Sequence, residues 1–264
     1  MNGLLRVGRI LFGIAMVLFG VEFLIFLTAM HGPLPGPPWS RGTVPLDWLA
    51  CLGFIVAGVS LVTGKMARLV SMLLGVVLLL YGLIRYLPAL VTRLHDPGPW
   101  TVLFEILALV GGAWVLAASL PADGSISQAR GSLVWRMAEV GRYLIAISLV
   151  VFAVQHFMYA KFVAGLVTPW IPWHLFWTYF AGVAFAAVAL SLVFQQMVRL
   201  SAGLLGVMFL LWVVVLHALR VAAAPRNGDE MTSLLVALAM SGVGFILAGA
   251  YGGGEKRRGA SAYE

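Results

Sequence analysis

Apolar residues run along this chain in eight long segments, separated by short breaks of Gly, Pro and charge. A helix crossing a bilayer needs about 20 such residues, because each rises 1.5 Å through a hydrocarbon core roughly 30 Å thick. The pattern predicts membrane helices over Val7–Met30, Asp47–Thr63, Leu69–Leu90, Trp100–Leu120, Val140–Phe162, His174–Phe194, Leu200–Ala222 and Met231–Tyr251. The first run is too long for a signal-peptide core, and no small-x-small cleavage site follows it before Pro33, so it reads as a membrane helix.

The break from Pro121 to Ser132 divides the chain nearly in half, and the halves align. Gly8-Arg9 matches Gly141-Arg142, Glu22 matches Gln155, and Met66-Ala67-Arg68-Leu69 matches Met197-Val198-Arg199-Leu200. Thr101, Leu107-Ala108 and Gly111 match Thr232, Leu238-Ala239 and Gly242 at an offset near 131 residues. The expected fold is therefore all-α: eight transmembrane helices as two tandem parallel four-helix bundles. The first unit spans residues 1–120, a cytoplasmic linker 121–133, the second unit 134–251 and a cytoplasmic tail 252–264. Four helices per unit give both copies one orientation, which makes a parallel repeat.

Composition agrees. The 264 residues are 62% hydrophobic and 10% charged, where a soluble domain carries about 25% charged residues. The net charge of +7 is spread singly over helix ends, with no basic stretch interleaved with aromatics, which argues against nucleic acid. Eleven Lys and Arg lie on the side of both termini and six on the other, so the positive-inside rule puts the termini in the cytoplasm of a cell (inner or plasma) membrane. The single Cys51 excludes an internal disulfide, a CxxC pair and a thiolate zinc site.

All five histidines (His31, His95, His156, His174 and His217) fall on the side away from the termini, together with seven of nine tryptophans. An interfacial belt accounts for tryptophan but not for histidine. Any functional site is therefore expected in the outer half. In the first unit Glu22, Arg85 and Glu105 can share one depth, and charges inside a bilayer usually face inward and pair. A Glu22–Arg85 ion pair with Glu105 nearby is expected. In the second unit Gln155 and His156 stand at the Glu22 level, with His217, Lys161 and Arg220 nearby in height. Histidines on two helices could ligate a b-type haem, hydrogen-bond a quinone carbonyl, relay protons or simply bond neighbouring helices. The loop Thr168-Pro169-Trp170-Ile171-Pro172-Trp173-His174 is stiffened by two prolines and reads either as a lid or as an interfacial anchor. No metal-site signature, phosphate-binding glycine loop or nucleophile elbow is present.

The stretch Val154-Gln155-His156-Phe157-Met158-Tyr159-Ala160-Lys161-Phe162, then Trp170-Ile171-Pro172-Trp173, then Phe176-Trp177-Thr178-Tyr179-Phe180-Ala181-Gly182, resembles the DoxX-like membrane proteins. The resemblance covers residues 134–251, and 1–120 through the duplication. It implies a four-helix bundle per unit. Some relatives are linked to quinone-dependent thiosulfate oxidation or to membrane oxidoreductase complexes; many have no assigned activity. The first copy departs from the pattern, with Phe23 at the His156 position and no W-I-P run.

Three readings follow. One is a redox-associated subunit holding a quinone-like lipid in the outer half of the second bundle, with a membrane or periplasmic redox partner. Its candidate ligand set is His156, Gln155, Lys161, Trp170, Trp173, His174, Trp177 and His217. The others are a non-catalytic scaffold or assembly factor, and a small-solute or proton pathway through Glu22, Arg85, Glu105, His156 and His217.

Overall fold

A computed structural model describes residues 2–29, 44–121 and 133–251. His31, Trp39, Arg41, the linker 122–132 and the tail 252–264 lie outside the described residues. The described chain is helical: α1 (Gly3–Ala29), α2 (Val44–Thr63), α3 (Ala67–Arg85), α4 (Leu87–Thr92), α5 (Pro97–Ser119), α6 (Leu133–Met158), α7 (Ala160–Leu166), α8 (His174–Phe194), α9 (Val198–Trp212), α10 (Ala218–Ala223) and α11 (Gly228–Ala250). A π-helical segment, Val213–His217, joins α9 to α10. Seven stretches are long and apolar enough to cross a bilayer, and Trp48–Thr63 is a shorter apolar helix among the described residues. The chain is a multi-pass helical membrane protein.

Several helices outrun the apolar segments, because polar residues at the ends close the first turn. Asp96 and Asn227, at aligned positions, cap α5 and α11 by accepting hydrogen bonds from the amides of Gly98 and Asp229, each at 3.0 Å. The expected third and seventh helices are each interrupted: at Tyr86 in the first half, and by the π segment in the second. The fifth breaks at Tyr159 between α6 and α7.

Helix pairing corrects the expected tandem bundles. The most extensive contacts join α1 to α11 and α5 to α6, across the midpoint of the sequence, while α1 with α5 and α6 with α11 make no extended contact. Glycine explains the exchange. A methyl on Gly8 would stand 2.5 Å from the Ile246 amide nitrogen and 2.7 Å from the Gly242 oxygen. At the aligned crossing, a methyl on Gly141 would stand 2.8 Å from the Gly111 oxygen. Both crossings bring backbone against backbone, which only glycine allows. The central helices α5 and α11 also meet each other, Gly112 packing on its aligned residue Val243. Residues 108–117 of α5 and 237–249 of α11 are buried on every side. Around this pair, α3 packs on α5 and α9 on α11, with α2 outside α1 and α8 outside α6. The two halves interlock in one assembly instead of standing as separate bundles.

The short turns repeat too. Gly64 and Gln195, at aligned positions, both have positive φ (82° and 54°), as do Met66 and Met197. Ser60 and Ser191 each close the turn by donating to the carbonyl five residues on.

Two outcomes test this packing in thermal unfolding of detergent-solubilised protein. Gly141→Ala should cost roughly 1–3 kcal/mol, because the colliding atoms are backbone, whereas Gly203→Ala, with its nearest neighbour at 3.7 Å, should be tolerated. Gln195→Gly should stabilise by about 1 kcal/mol, since an exposed glutamine holds a left-handed conformation that Gly64 adopts without strain.

Candidate functional site

The cross-pairing redirects the intramembrane polar residues. Because α1 lies on α11, Glu22 does not meet Arg85: its Oε1 accepts from Thr232 Oγ1 of α11 at 2.8 Å, and its Oε2 is buried without a hydrogen bond. The expected Glu22–Arg85 ion pair is absent. Arg85 is buried, with Cζ 6.0 Å from the centre of the Tyr81 ring on its own helix. Glu105 is half-buried on α5 and makes no hydrogen bond or ion pair to a described residue.

Gln155 repeats the Glu22 contact from the other half. Thr101 Oγ1 donates to Gln155 Oε1 at 3.1 Å, and Gln155 Nε2 donates to the Pro97 carbonyl at 3.3 Å. Its polar atoms tie α6 to α5.

His156, one residue on, faces α8. Its ring meets Phe185 edge-on with centroids 5.1 Å apart. Phe185 also touches Phe152 of α6 and Phe209 and Trp212 of α9, so five rings from three helices converge. Gly182, one turn before Phe185, leaves room for the His156 side chain: a methyl there would stand 3.1 Å from His156 Cβ. His156 Nδ1 lies 2.8 Å from the Phe152 carbonyl oxygen. A carbonyl can only accept, so Nδ1 carries the proton in the neutral ring, and Nε2 keeps its lone pair. Nε2 makes no hydrogen bond to a described residue. The arrangement offers one oriented acceptor among aromatic walls. It suits a donor such as a ring hydroxyl, or a metal.

His217 closes the π segment above Trp212, and its Nδ1 is buried without a partner. Such segments recur at functional sites. No hydrogen bond links His217 to His156, and among the described residues no three His, Cys, Asp or Glu gather as a metal site. One turn on, Arg220 makes a two-point ion pair with Glu230 of α11: Nε donates to Oε2 at 2.6 Å and Nη2 to Oε1 at 2.5 Å. Arg220 Nη1 donates to the Leu166 carbonyl at 2.5 Å, which ties the end of α7 to the same corner.

The remaining expected ligands face outward. Lys161 is exposed, and Trp170 and Trp173 are 60% and 77% exposed, Trp173 with φ 58° just ahead of α8. Trp177 packs on Phe176 and Phe180 along the outer face of α8. These rings stand on the outer surface of α8 and of the loop ahead of it. His174 opens α8, where its carbonyl accepts from Thr178. An open apolar groove between α8 and α9, lined by Leu190, Phe194, Met197, Leu200 and Leu204, lies at the opposite end of these helices from His156.

Sequence reasoning missed Phe185 and Phe209, whose period on apolar helices matches every lipid-facing ring. It also missed Glu230 as the partner of Arg220. Pairing an intramembrane arginine with an acid across the next loop would have found it. No family model matches this chain, and no curated protein or solved structure matches it either.

Proposed function

We propose that this is an eight-crossing membrane protein, a tandem pair of DoxX-like units with both termini in the cytoplasm, that holds a quinone-like ring on His156. The eighth crossing is α2, whose 20 residues span about 30 Å. The carrying observation is the His156 ring: its tautomer is set by the Phe152 carbonyl, its Nε2 is left free, and the ring packs on Phe185, which in turn meets Trp212. A quinol hydroxyl donates to such a nitrogen and a flat ring packs on such walls, which is the usual composition of a ligand site: apolar surface with few oriented polar groups. His217, whose Nδ1 is buried without a partner, would serve as a second polar group, and a membrane or periplasmic redox partner would exchange electrons with the bound ring.

A scaffold reading draws on a separate observation. Gln155, Glu22, Arg220 and Glu230 all spend hydrogen bonds on other helices of the same chain, which is what rigid assembly would use. That reading expects no retained cofactor and co-purification of another membrane protein.

Two measurements test the proposal. Reporters fused at the N-terminus, the C-terminus and the Pro121–Ser132 break should all report the cytoplasmic side; a C-terminus opposite to the N-terminus would remove the α2 crossing. Protein purified gently from its native membrane should show an oxidised-minus-reduced quinone difference near one per chain. His156→Phe, which keeps an aromatic ring against Phe185, should lower retained quinone about tenfold or more, the worth of one charge-free hydrogen bond in a dry site. Full retention by the folded variant refutes the site.

A further inference from the structure

Arg9 and Arg142 occupy aligned positions at the basic end of the helices, yet their guanidinium groups differ in partners. Arg142, 2% exposed, donates from Nη1 to the Leu192 carbonyl at 2.5 Å and from Nη2 to Glu139 at 2.7 Å. Its charge is answered within one turn of its own helix. Arg9, 7% exposed, donates no hydrogen bond to any described residue, and its Nε is fully enclosed.

The difference comes from one aligned position. Where the second half has Glu139, the first has Arg6, so a like charge stands one turn from Arg9 and acts on it directly. The Arg9 guanidinium presses on Gly64 of the turn between α2 and α3, occupying the space where a side chain there would begin. The next residue is the exposed Lys65. Among the described residues Glu139 is the one carboxylate at this end, and Arg142 already holds it. A buried cation without a counter-charge is strongly unfavourable, and a cation beside a second one is more so. A nine-tenths-buried, unpartnered guanidinium with Arg6 one turn away and Lys65 next to the glycine it presses on requires an anion.

We propose that Arg6, Arg9 and Lys65 bind the phosphate of an anionic phospholipid. The position selects lipid over a dissolved anion. These residues lie at the ends of bilayer-crossing helices, where headgroups sit, and Val56, Val59 and Met66 offer exposed apolar surface on the adjoining α2 and α3 turn for the acyl chains. Basic residues at a membrane boundary recognise anionic headgroups in this way. The site is independent of the ring proposed at His156 and lies at the opposite end of the helices.

The test uses the full chain in neutral detergent, with phosphatidylglycerol or phosphatidylcholine added at equal concentration. Thermal unfolding and native mass spectrometry are the readouts. Phosphatidylglycerol should raise the unfolding temperature and remain bound, and phosphatidylcholine should do neither. Arg6→Glu rebuilds the Glu139–Arg142 arrangement, so it should unfold no earlier than wild type without lipid while binding phosphatidylglycerol about thirtyfold more weakly, as expected for a change of two charges. Arg136→Glu makes the same change at an exposed site on the same end and should leave binding nearly intact. The site is overturned by equal response to the two lipids, by full affinity in Arg6→Glu, or by equal loss in Arg136→Glu. A shift from inorganic phosphate alone as large as that from phosphatidylglycerol overturns the lipid assignment.

Discussion

Close backbone approach at glycine is the constraint on which the rest of this molecule depends. In a bilayer, apolar helices gain nothing from leaving water, so they associate where shape lets dispersion and weak polar contacts accumulate. Gly8 on Gly242 and Gly141 on Gly111 supply that shape twice, at aligned positions, and each crossing joins the first helix of one half to the last helix of the other. Everything central follows from this exchange. Residues 108–117 of α5 and 237–249 of α11 become enclosed, and Gly75 and Gly206 then accept the bulky side chains Trp114 and Phe245 that hold α3 and α9 against them.

The polar contacts obey the same exchange. Glu22 and Gln155 sit at aligned positions on α1 and α6, and each reaches a threonine on the helix its glycine selects: Thr232 on α11 and Thr101 on α5. An unsatisfied polar group inside a membrane is costly, so a side chain bonds whatever the packing brings within reach. Glycine crossings near one end and side-chain hydrogen bonds near the other pin each pair of helices at two heights, which fixes both register and tilt.

Much of this was legible in the residues and some was not. Long apolar runs punctuated by Gly64-Lys65 or Asp96-Pro97 mark helices and turns directly, and the His174–Phe194 segment coincides with α8. The repeat was legible because glycines and prolines with special backbone roles cannot drift freely. Which helix packs on which was not legible. In water, polarity separates the buried face from the exposed one; in lipid both are apolar, so Phe185 in the core and Phe180 on the outer face of α8 look alike. The pairing of Glu22 with Arg85 failed for that reason: helical rise sets a height along each helix, but height does not say which neighbour stands alongside. The second-half histidine survives as a candidate because its environment is set locally, by a carbonyl four residues back on its own helix.

The near-symmetry gives meaning to the places where the halves differ. With backbone geometry repeated at the glycines, caps and turns, a difference at an aligned position is a difference of chemistry in an almost constant setting. Glu139 against Arg6 converts an internally neutral arginine into one that needs an outside anion. His156 against Phe23 puts an oriented lone pair where the first half has only a ring among rings. The two differences fall in different halves and at opposite ends of the helices, so each can vary without disturbing the crossings that hold the assembly together. A scaffold of this kind separates folding from function physically: small residues at the central helices carry the packing, and the outer faces of α1, α2, α6 and α8 are left free to differ.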